Sequence, residues 1–241
     1  VTQIGDFAFQ RCSGLMSVSI PDGVTSIGSF AFSGCSSMTG VTIPDSVTTI
    51  GSHTFADCIG LTNITIGSNV TRIEDYAFQD CLSLEHVDCP KSLRVLSLGT
   101  FKGCINLKSI KFGKDLKKIR EGAFAYCSSL QSADIPVSVS SIEDNAFGGC
   151  SSLGQVVVHW DTPFVLNDGV FTELPSNCYL HIPIMTSTKY LDKGWKTIFP
   201  NLKESGVMAI TSKTGGTVAY DAKIIENGTE EFLFNPFKSF Y

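Results

Sequence analysis

The sequence predicts an α/β repeat solenoid, rich in β-structure, that is built from stacked 23-residue coils. Two uninterrupted columns of residues predict it, and neither contains an insertion or a deletion. Phenylalanine recurs every 23 residues, at Phe9, Phe32, Phe55, Phe78, Phe101, Phe124 and Phe147. Cysteine keeps the same period, at Cys12, Cys35, Cys58, Cys81, Cys104, Cys127 and Cys150. A fixed period of this length is typical of solenoids, in which each repeat buries its apolar face against its neighbours.

Spacing within the repeat predicts the local structure of each coil. Phe9, Cys12 and Leu15 are three residues apart, which favours a tight helical turn. Val18 and Ile20 are two apart, the period of a strand, and a proline that ends the strand follows in four of the repeats. A second extended segment leads into the next turn. Equivalent strands should therefore stack as parallel sheets about 4.8 Å apart, with each phenylalanine ring over the next.

The repeat resembles a known family. Residues 20–38 read IPDGVTSIGSFAFSGCSSM, which is similar to the recurring phrase of BspA-type leucine-rich repeats, also called the Treponema pallidum type. The resemblance covers residues 1–159 and implies a right-handed leucine-rich-repeat superhelix with a parallel sheet on its concave face. It also implies a secreted or cell-surface protein, typically bacterial or from a parasitic protist, that acts in adhesion. Residues 89–100 depart most from the pattern, which predicts a local change of curvature.

The period predicts the organisation of the chain. We assign residues 1–159 to about seven repeats and 160–205 to a C-terminal cap, because the period ends after Val158. Within the cap, residues 178–183 are expected to form a strand, and residues 190–204 a short helix or turn that carries Trp195, Ile198 and Phe199 onto the core. This closing segment is similar to Bacteroides-type family members. Residues 206–241 are predicted to be a short β-prone tail or the start of a small β module, with runs at 207–210, 217–220 and 231–234.

Composition and motifs exclude several classes of function. The chain opens in mid-repeat without an initiator Met or a signal peptide, so we interpret it as a fragment or a processed product. A net charge of −5 gives no reason to expect a nucleic-acid partner, and no apolar run is long enough for membrane insertion. No H-E-x-x-H, G-x-S-x-G or phosphate-loop pattern is present, so no catalytic residue, metal or cofactor is predicted. The cysteine column is interpreted as small buried hydrophobes, with disulfides between coils as the alternative.

The outward positions of the strands are the candidate binding surface. By alternation they are small and neutral in the first three coils and charged in the later ones. A basic cluster, which also includes Arg120, falls within coils four to six, and stacking should bring its members onto neighbouring rows. The candidate ligand-binding residues are Arg94, Lys108, Lys111, Lys114, Lys117, Lys118, His86 and Asp88. Such a cluster suits a sulfated glycan or an acidic protein face; the alternative is a solvated basic stripe offset by Glu85, Asp115 and Glu121.

We therefore expect a non-enzymatic, secreted or cell-surface binding module. It would mediate adhesion, or recognise a protein or glycan such as host matrix, through the solenoid surface, and it is expected to be a monomer. The alternative is a structural spacer or self-associating scaffold for neighbouring domains, because open solenoid ends and β-prone strands favour association.

Overall fold

The protein is a β-solenoid of about nine turns with 23-residue coils, parallel sheets and few helices, which confirms the predicted fold class. The computed structural model describes residues 1–205, 207–211 and 217–221. Each coil adds one strand to a first column, here called the main sheet. These strands are β2 (Ser17–Ser19), β4 (Gly40–Thr42), β6 (Asn63–Thr65), β8 (His86–Asp88), β10 (Ser109–Lys111), β12 (Ser132–Ile135), β14 (Gln155–Val158), β15 (Tyr179–Ile182) and β16 (Asn201–Glu204).

A second column of shorter strands, here called the second sheet, follows the turn after each main-sheet strand. It consists of β1 (Gln3–Ile4), β3 (Ser26–Ile27), β5 (Thr49–Ile50), β7 (Arg72–Ile73), β9 (Val95–Leu96), β11 (Lys118–Ile119) and β13 (Ser141–Ile142). All pairings within both columns are parallel. From β1 to β14 they are offset by one repeat, as in Val18 with Val41 and Ile27 with Ile50, whereas Gln155 pairs with Tyr179 and Tyr179 with Asn201. The 23-residue offset keeps equivalent side chains of neighbouring repeats in line.

The predicted stack of phenylalanine rings forms the centre of the core. From Phe9 to Phe147, and on to Phe171 in the next coil, adjacent ring centroids lie 4.9–5.6 Å apart and the ring planes agree within 16°. The rings from Phe32 to Phe147 are fully buried. Because the rings touch only their neighbours in the stack, each one couples two adjacent coils.

Backbone bonds in the turn hold the rings in register. The N–H of each phenylalanine donates to a carbonyl of the next coil, as in Phe9 to Ala31 (2.7 Å) and Phe78 to Thr100 (2.9 Å). The carbonyl of Phe9 accepts the thiol of Cys35 in the next coil, at 3.2 Å. The same thiol-to-carbonyl bond, at 3.2–3.3 Å, recurs along the cysteine column up to Cys150.

The cysteines are free thiols, and those of the repeat column from Cys35 to Cys150 also donate hydrogen bonds between coils. Burial raises the pKa of the Cys58 thiol to about 12, so it stays protonated and keeps its donor. The small side chain that the sequence predicted therefore also satisfies a buried carbonyl, which alanine would leave without this partner.

Both strand columns are interrupted at the same place. The main sheet runs from β2 to β6 and starts again at β8, and the second sheet runs from β1 to β7 and starts again at β9. The turn column continues across this junction through Tyr76 N–H to Leu98 (2.8 Å) and the Phe78–Phe101 ring contact (5.4 Å). The interruption borders residues 89–100, where the sequence departs from the pattern; the predicted change of curvature there stays a prediction.

The C-terminal coils close the core with aromatic side chains. The predicted strand at 178–183 is confirmed as β15, and helices α1 (Ser187–Asp192) and α2 (Trp195–Ile198) follow it. Trp195 and Phe199 are fully buried, as predicted, and Ile198 packs against the core while half-buried. The sequence did not predict β16, which extends the main sheet beyond β15. The division into units at 159/160 and 205/206 stays a prediction.

Part of the predicted β-prone tail is described. β17 (Val207–Thr211) and β18 (Thr217–Asp221) pair as antiparallel strands, which agrees with the first two predicted runs. The third run, at 231–234, lies outside the described residues.

Glu204 ties β16 to the first turn of α1. Its carboxylate accepts backbone N–H groups of Met185, Thr186 and Ser187 at 2.8–3.1 Å. Burial alone would raise the pKa of Glu204, but these hydrogen bonds outweigh it and lower the pKa below its ordinary value. The carboxylate thus stabilises the fold only while it is ionised.

Replacing Phe78 with alanine should destabilise the protein by about 3–5 kcal/mol, because the cavity would lie in the middle of the ring stack. Urea unfolding would measure this, with Phe7→Ala as the matched control. Phe7 is 55% exposed, so its loss should cost less than about 1 kcal/mol. Equal losses in the two variants would contradict the proposed role of the stack.

Glu204→Gln should lower the urea midpoint at neutral pH. A carboxylate whose pKa is lower in the folded state stabilises the folded state at pH values above its unfolded-state pKa. This stabilisation is lost as the pH falls through the folded-state pKa. The gap between wild type and variant should therefore close under acid, while the exposed control Glu173→Gln shows no gap at any pH. A gap that persisted at low pH would show that packing, rather than ionisation, is responsible.

Candidate functional site

The outward side chains of the main sheet form two straight rows. The alternation that the sequence predicted holds: in coils one to six the outward side chains are exposed or half-buried. One row consists of Ser17, Gly40, Asn63, His86, Ser109, Ser132, Gln155, Tyr179 and Asn201. The other consists of Ser19, Thr42, Thr65, Asp88, Lys111, Asp134, Val157, His181 and Lys203.

The first three coils present a neutral half of this face. Two shallow, open depressions lie there, of about 610 and 220 Å³. The larger is lined by Ser19, Asp22, Thr42, Asp45 and other residues of coils one and two. The larger depression thus offers hydroxyl groups and two carboxylates beside the neutral strand positions. Both depressions are open, so they do not exclude water from a bound group.

From the fourth coil onward the face carries charges of both signs. Lys108 binds Glu85 at 2.9 Å, and His159 contacts Asp134 at 2.6 Å. Lys111 lies in register with Asp88 of the preceding strand. The hydrogen bond and charge of Lys108 lower the pKa of Glu85. Cations on this face are therefore offset by neighbouring carboxylates.

Aromatic and imidazole groups continue the face toward its C-terminal end. The Lys203 ammonium lies 3.9 Å from the centre of the Tyr179 ring, a cation–π contact. Burial, together with the charge of Lys203, lowers the pKa of His181, so this imidazole is neutral at pH 7. The end of the sheet is thus less charged than its middle.

One group on this face has the composition of a catalytic triad. The Ser109 hydroxyl lies 2.7 Å from His86 Nδ1, and Glu85 lies 3.9 Å from His86 Nε2. The His86 side chain is 62% exposed, and the 3.9 Å between Glu85 and the imidazole is too long for a hydrogen bond. A hydrolytic site needs a carboxylate within hydrogen-bond reach and free N–H donors for the oxyanion. This arrangement is better explained as surface hydrogen bonding.

The structure divides the predicted basic cluster between two faces. Lys108 and Lys111 lie on the main sheet beside His86 and Asp88. The other predicted cations lie elsewhere: Lys114 on the turn between the sheets, and Arg94, Lys117 and Lys118 at the second sheet. The cluster is thus not one surface, and the assignment of these residues to a ligand stays a prediction.

Sequence reasoning missed one member of the group on the turn. Lys91 stands 23 residues before Lys114 and is also exposed. The 23-residue period alone could therefore have placed Lys91 beside Lys114. Arg120, by contrast, is engaged: it lies 3.4 Å from Asp75 and 3.8 Å from Glu143. Arg120 therefore belongs to the bonding between coils rather than to a free basic surface.

The described part of the chain has neither a metal-binding cluster nor a membrane-spanning helix. Residues 1–205 and the two tail strands contain no group of three or more His, Cys, Asp or Glu side chains that could hold a metal ion. Over the same residues, no helix has the length and apolar character that spanning a bilayer requires.

The repeats match a known family profile along most of the chain. The BspA type leucine rich repeat region matches in six copies, over residues 2–127 and 71–183. The chain belongs to the BspA-type leucine-rich repeat family. Proteins of this family are generally non-catalytic repeat modules and are typically found at the cell surface or secreted. The comparison with curated proteins finds no match.

Solved structures of bacterial leucine-rich repeat proteins resemble this one. A leucine rich cell surface protein from Faecalibacterium prausnitzii is 26% identical with a TM-score of 0.61, over 86% of this chain and 61% of its own. A leucine-rich repeat protein from Bacteroides ovatus is 29% identical with a TM-score of 0.52, over 85% and 64%. This chain thus spans somewhat less than two thirds of the length of both relatives.

Proposed function

We propose that this chain is a non-enzymatic adhesion module of the cell surface or of a secreted protein, which binds a protein ligand along its main-sheet face. The observation that carries the proposal is the register of the paired strands, which aligns their outward side chains in two rows on each side of the junction between coils three and four. A regular, open face of this kind suits the binding of a macromolecule. Catalysis requires an enclosed site that excludes water.

The size of the face indicates how a ligand would lie. Nine strand positions at about 4.8 Å give a length near 40 Å, and strands of three or four residues give a width of about 10–13 Å. The product, roughly 400–500 Å², is about half of what one partner buries in a protein–protein interface of standard size, so a ligand would also contact the turns beside the strands. A protein ligand would therefore extend along the solenoid axis and contact most of the coils.

The charge pattern supports a protein as the ligand. Asp88, Lys111 and Asp134 alternate in sign along one row, and His86 and Tyr179 stand in the other. A mixed pattern selects a partner with the complementary mixed pattern and disfavours a uniformly charged polymer. The neutral half would add adaptable hydrogen bonds from serine, threonine and asparagine.

The proposed location rests on the family and on its relatives. The similar protein from Faecalibacterium prausnitzii is described as a cell surface protein, and a surface module that meets host matrix proteins would need an exposed face of this kind. We extend that location to the present chain as part of the proposal.

A self-associating scaffold is the second candidate. The observation that favours it is the edge strand β16, which among the described strands pairs with β15 alone. An unpaired edge is a template for pairing with another chain. A mass that rises with concentration in light scattering would support this function, whereas a concentration-independent monomer would count against it.

We expect the variant Asp88→Thr/Lys111→Thr to lose binding to a protein that the wild type captures from a panel of purified extracellular-matrix proteins. The loss should reach at least about tenfold in Kd. The variant should fold normally, because coils two and three already carry Thr42 and Thr65 in this column. The control, Asp192→Ser/Lys196→Ser, removes one exposed charge of each sign from the C-terminal helices.

Three results are informative in this experiment. Loss confined to the main-sheet variant supports the proposed site. Unchanged binding by both variants would move the site away from the charged half of the sheet. Absence of binding to every panel member, with self-association in light scattering, would favour the scaffold.

A further inference from the structure

We infer a second binding site, for a sulfated polysaccharide, on the turn and second sheet of coils four and five. We call this surface the basic corner. It consists of Lys91, Arg94, Lys114, Lys117 and Lys118. It lies on a different face from the main-sheet rows and goes beyond the function proposed above.

The repeat stacks these cations in two columns. Lys91 and Lys114 are one repeat apart, and Arg94 and Lys117 are one repeat apart with a backbone hydrogen bond of 2.7 Å between them. Neighbouring coils are about 4.8 Å apart in such ladders. Lys118 begins β11 beside Val95 of β9. Five cations are thus held within two adjacent coils.

The backbone beneath the corner is firmly anchored. Leu93 and Leu116, which lie between the two columns in sequence, are fully buried, and so are Leu96 and Ile119 in the second sheet. Lysine and arginine side chains are flexible, but the points from which they project are fixed by this core. The spacing of the charges is therefore a property of the fold.

The cations of the corner are not neutralised by the protein. All five are exposed, and none has an ion pair with any residue of the described chain. This sets them apart from Arg72, Lys108 and Arg120, which each contact a carboxylate. Asp115 supplies one exposed negative charge within the same stretch. The corner therefore carries a net local charge opposite in sign to that of the whole chain, which is −5.

Other coils show that the fold does not need these charges. The column of Arg94 and Lys117 holds Thr25, Thr48, Thr71 and Ser140 in other coils. There the hydroxyls of Thr25, Thr48 and Thr71 bond to the carbonyl of the preceding coil at 3.1–3.3 Å. Coils four and five give up this contact and place like charges side by side, which is unfavourable without an anion. An anionic ligand offsets that cost.

The neighbours of the corner favour a sulfated polysaccharide among polyanions. Serine hydroxyls border it at Ser68 and Ser141, and these can donate to sulfate. The hydroxyls of Thr71 and Ser140 donate to backbone carbonyls and can accept from sugar hydroxyls. None of the five residues of the corner is aromatic, so the corner itself lacks the ring faces on which the bases of single-stranded nucleic acids stack. Lysine is depleted in the cores of protein interfaces, which makes an acidic protein a poorer fit. Lysines act as point charges, and Arg94 can bind a sulfate through two N–H groups.

The test uses heparin as the probe and the full chain. Lys117→Thr/Lys118→Ser introduces residues that the same columns carry elsewhere, as in Thr48 and Ser26. Lys193→Ser/Lys196→Ser removes the same charge from two exposed positions near the C-terminal helices. Heparin should bind the wild type, weaken from low to physiological salt, and bind the first variant at least about tenfold more weakly. The second variant should stay within about twofold of the wild type.

Several outcomes would overturn the inference. These are no heparin binding at low salt, equal weakening in both lysine variants, or retained affinity for desulfated heparin. Equal affinity for a DNA duplex would make the corner a general polyanion site instead. The main-sheet variant Asp88→Thr/Lys111→Thr separates the two proposals, because it should bind heparin as tightly as the wild type does. If this variant instead lost affinity for heparin, the polysaccharide would bind on the main sheet.

Discussion

The turn around each phenylalanine is the constraint on which the rest of the structure depends. Its ring stacks on the next ring, its N–H donates to the next coil, and its carbonyl receives a cysteine thiol from that coil. These three contacts fix both the spacing and the register of adjacent coils. Where both strand ladders are interrupted between coils three and four, the turn contacts continue. The contacts of the turn, more than the strand pairing of the sheets, therefore hold neighbouring coils together in this protein.

A register fixed from the inside leaves the outward columns free to change. The chain uses this freedom unevenly. Threonine and serine dominate the first three coils, and mixed charges occupy the middle of the main sheet. The basic corner holds cations that have no ion pair among the described residues. Because the coils share one backbone arrangement, each coil is a structural control for its neighbours. Lys117 differs from its column, and its side chain forms no ion pair with any of the described residues. Such a residue is explained more readily by a ligand than by folding.

The sequence alone predicted the fold class, the ring stack and the outward alternation, because each of these follows from spacing along a repeat. It did not predict β16, since Asn201–Glu204 lacks the apolar period that marked the other strands. It also placed Lys111, Lys114 and Lys118 in one cluster, because spacing does not reveal where the chain turns between two sheets. The thiol hydrogen bonds were missed for a similar reason: a cysteine column signals a small buried residue, and its donor direction depends on atomic positions.

Amide hydrogen exchange across the junction of coils three and four tests the central claim most directly. If the turn column holds the coils together, the N–H groups of Phe55, Phe78 and Phe101 should be among the slowest to exchange, without a break at the junction. Strand amides facing the junction, in β8 and β9, should exchange faster than their equivalents in β10 and β11. Rapid exchange at Phe78, or equal protection of all four strands, would contradict this claim. It would show that strand pairing in the sheets, rather than the turn, holds the coils together.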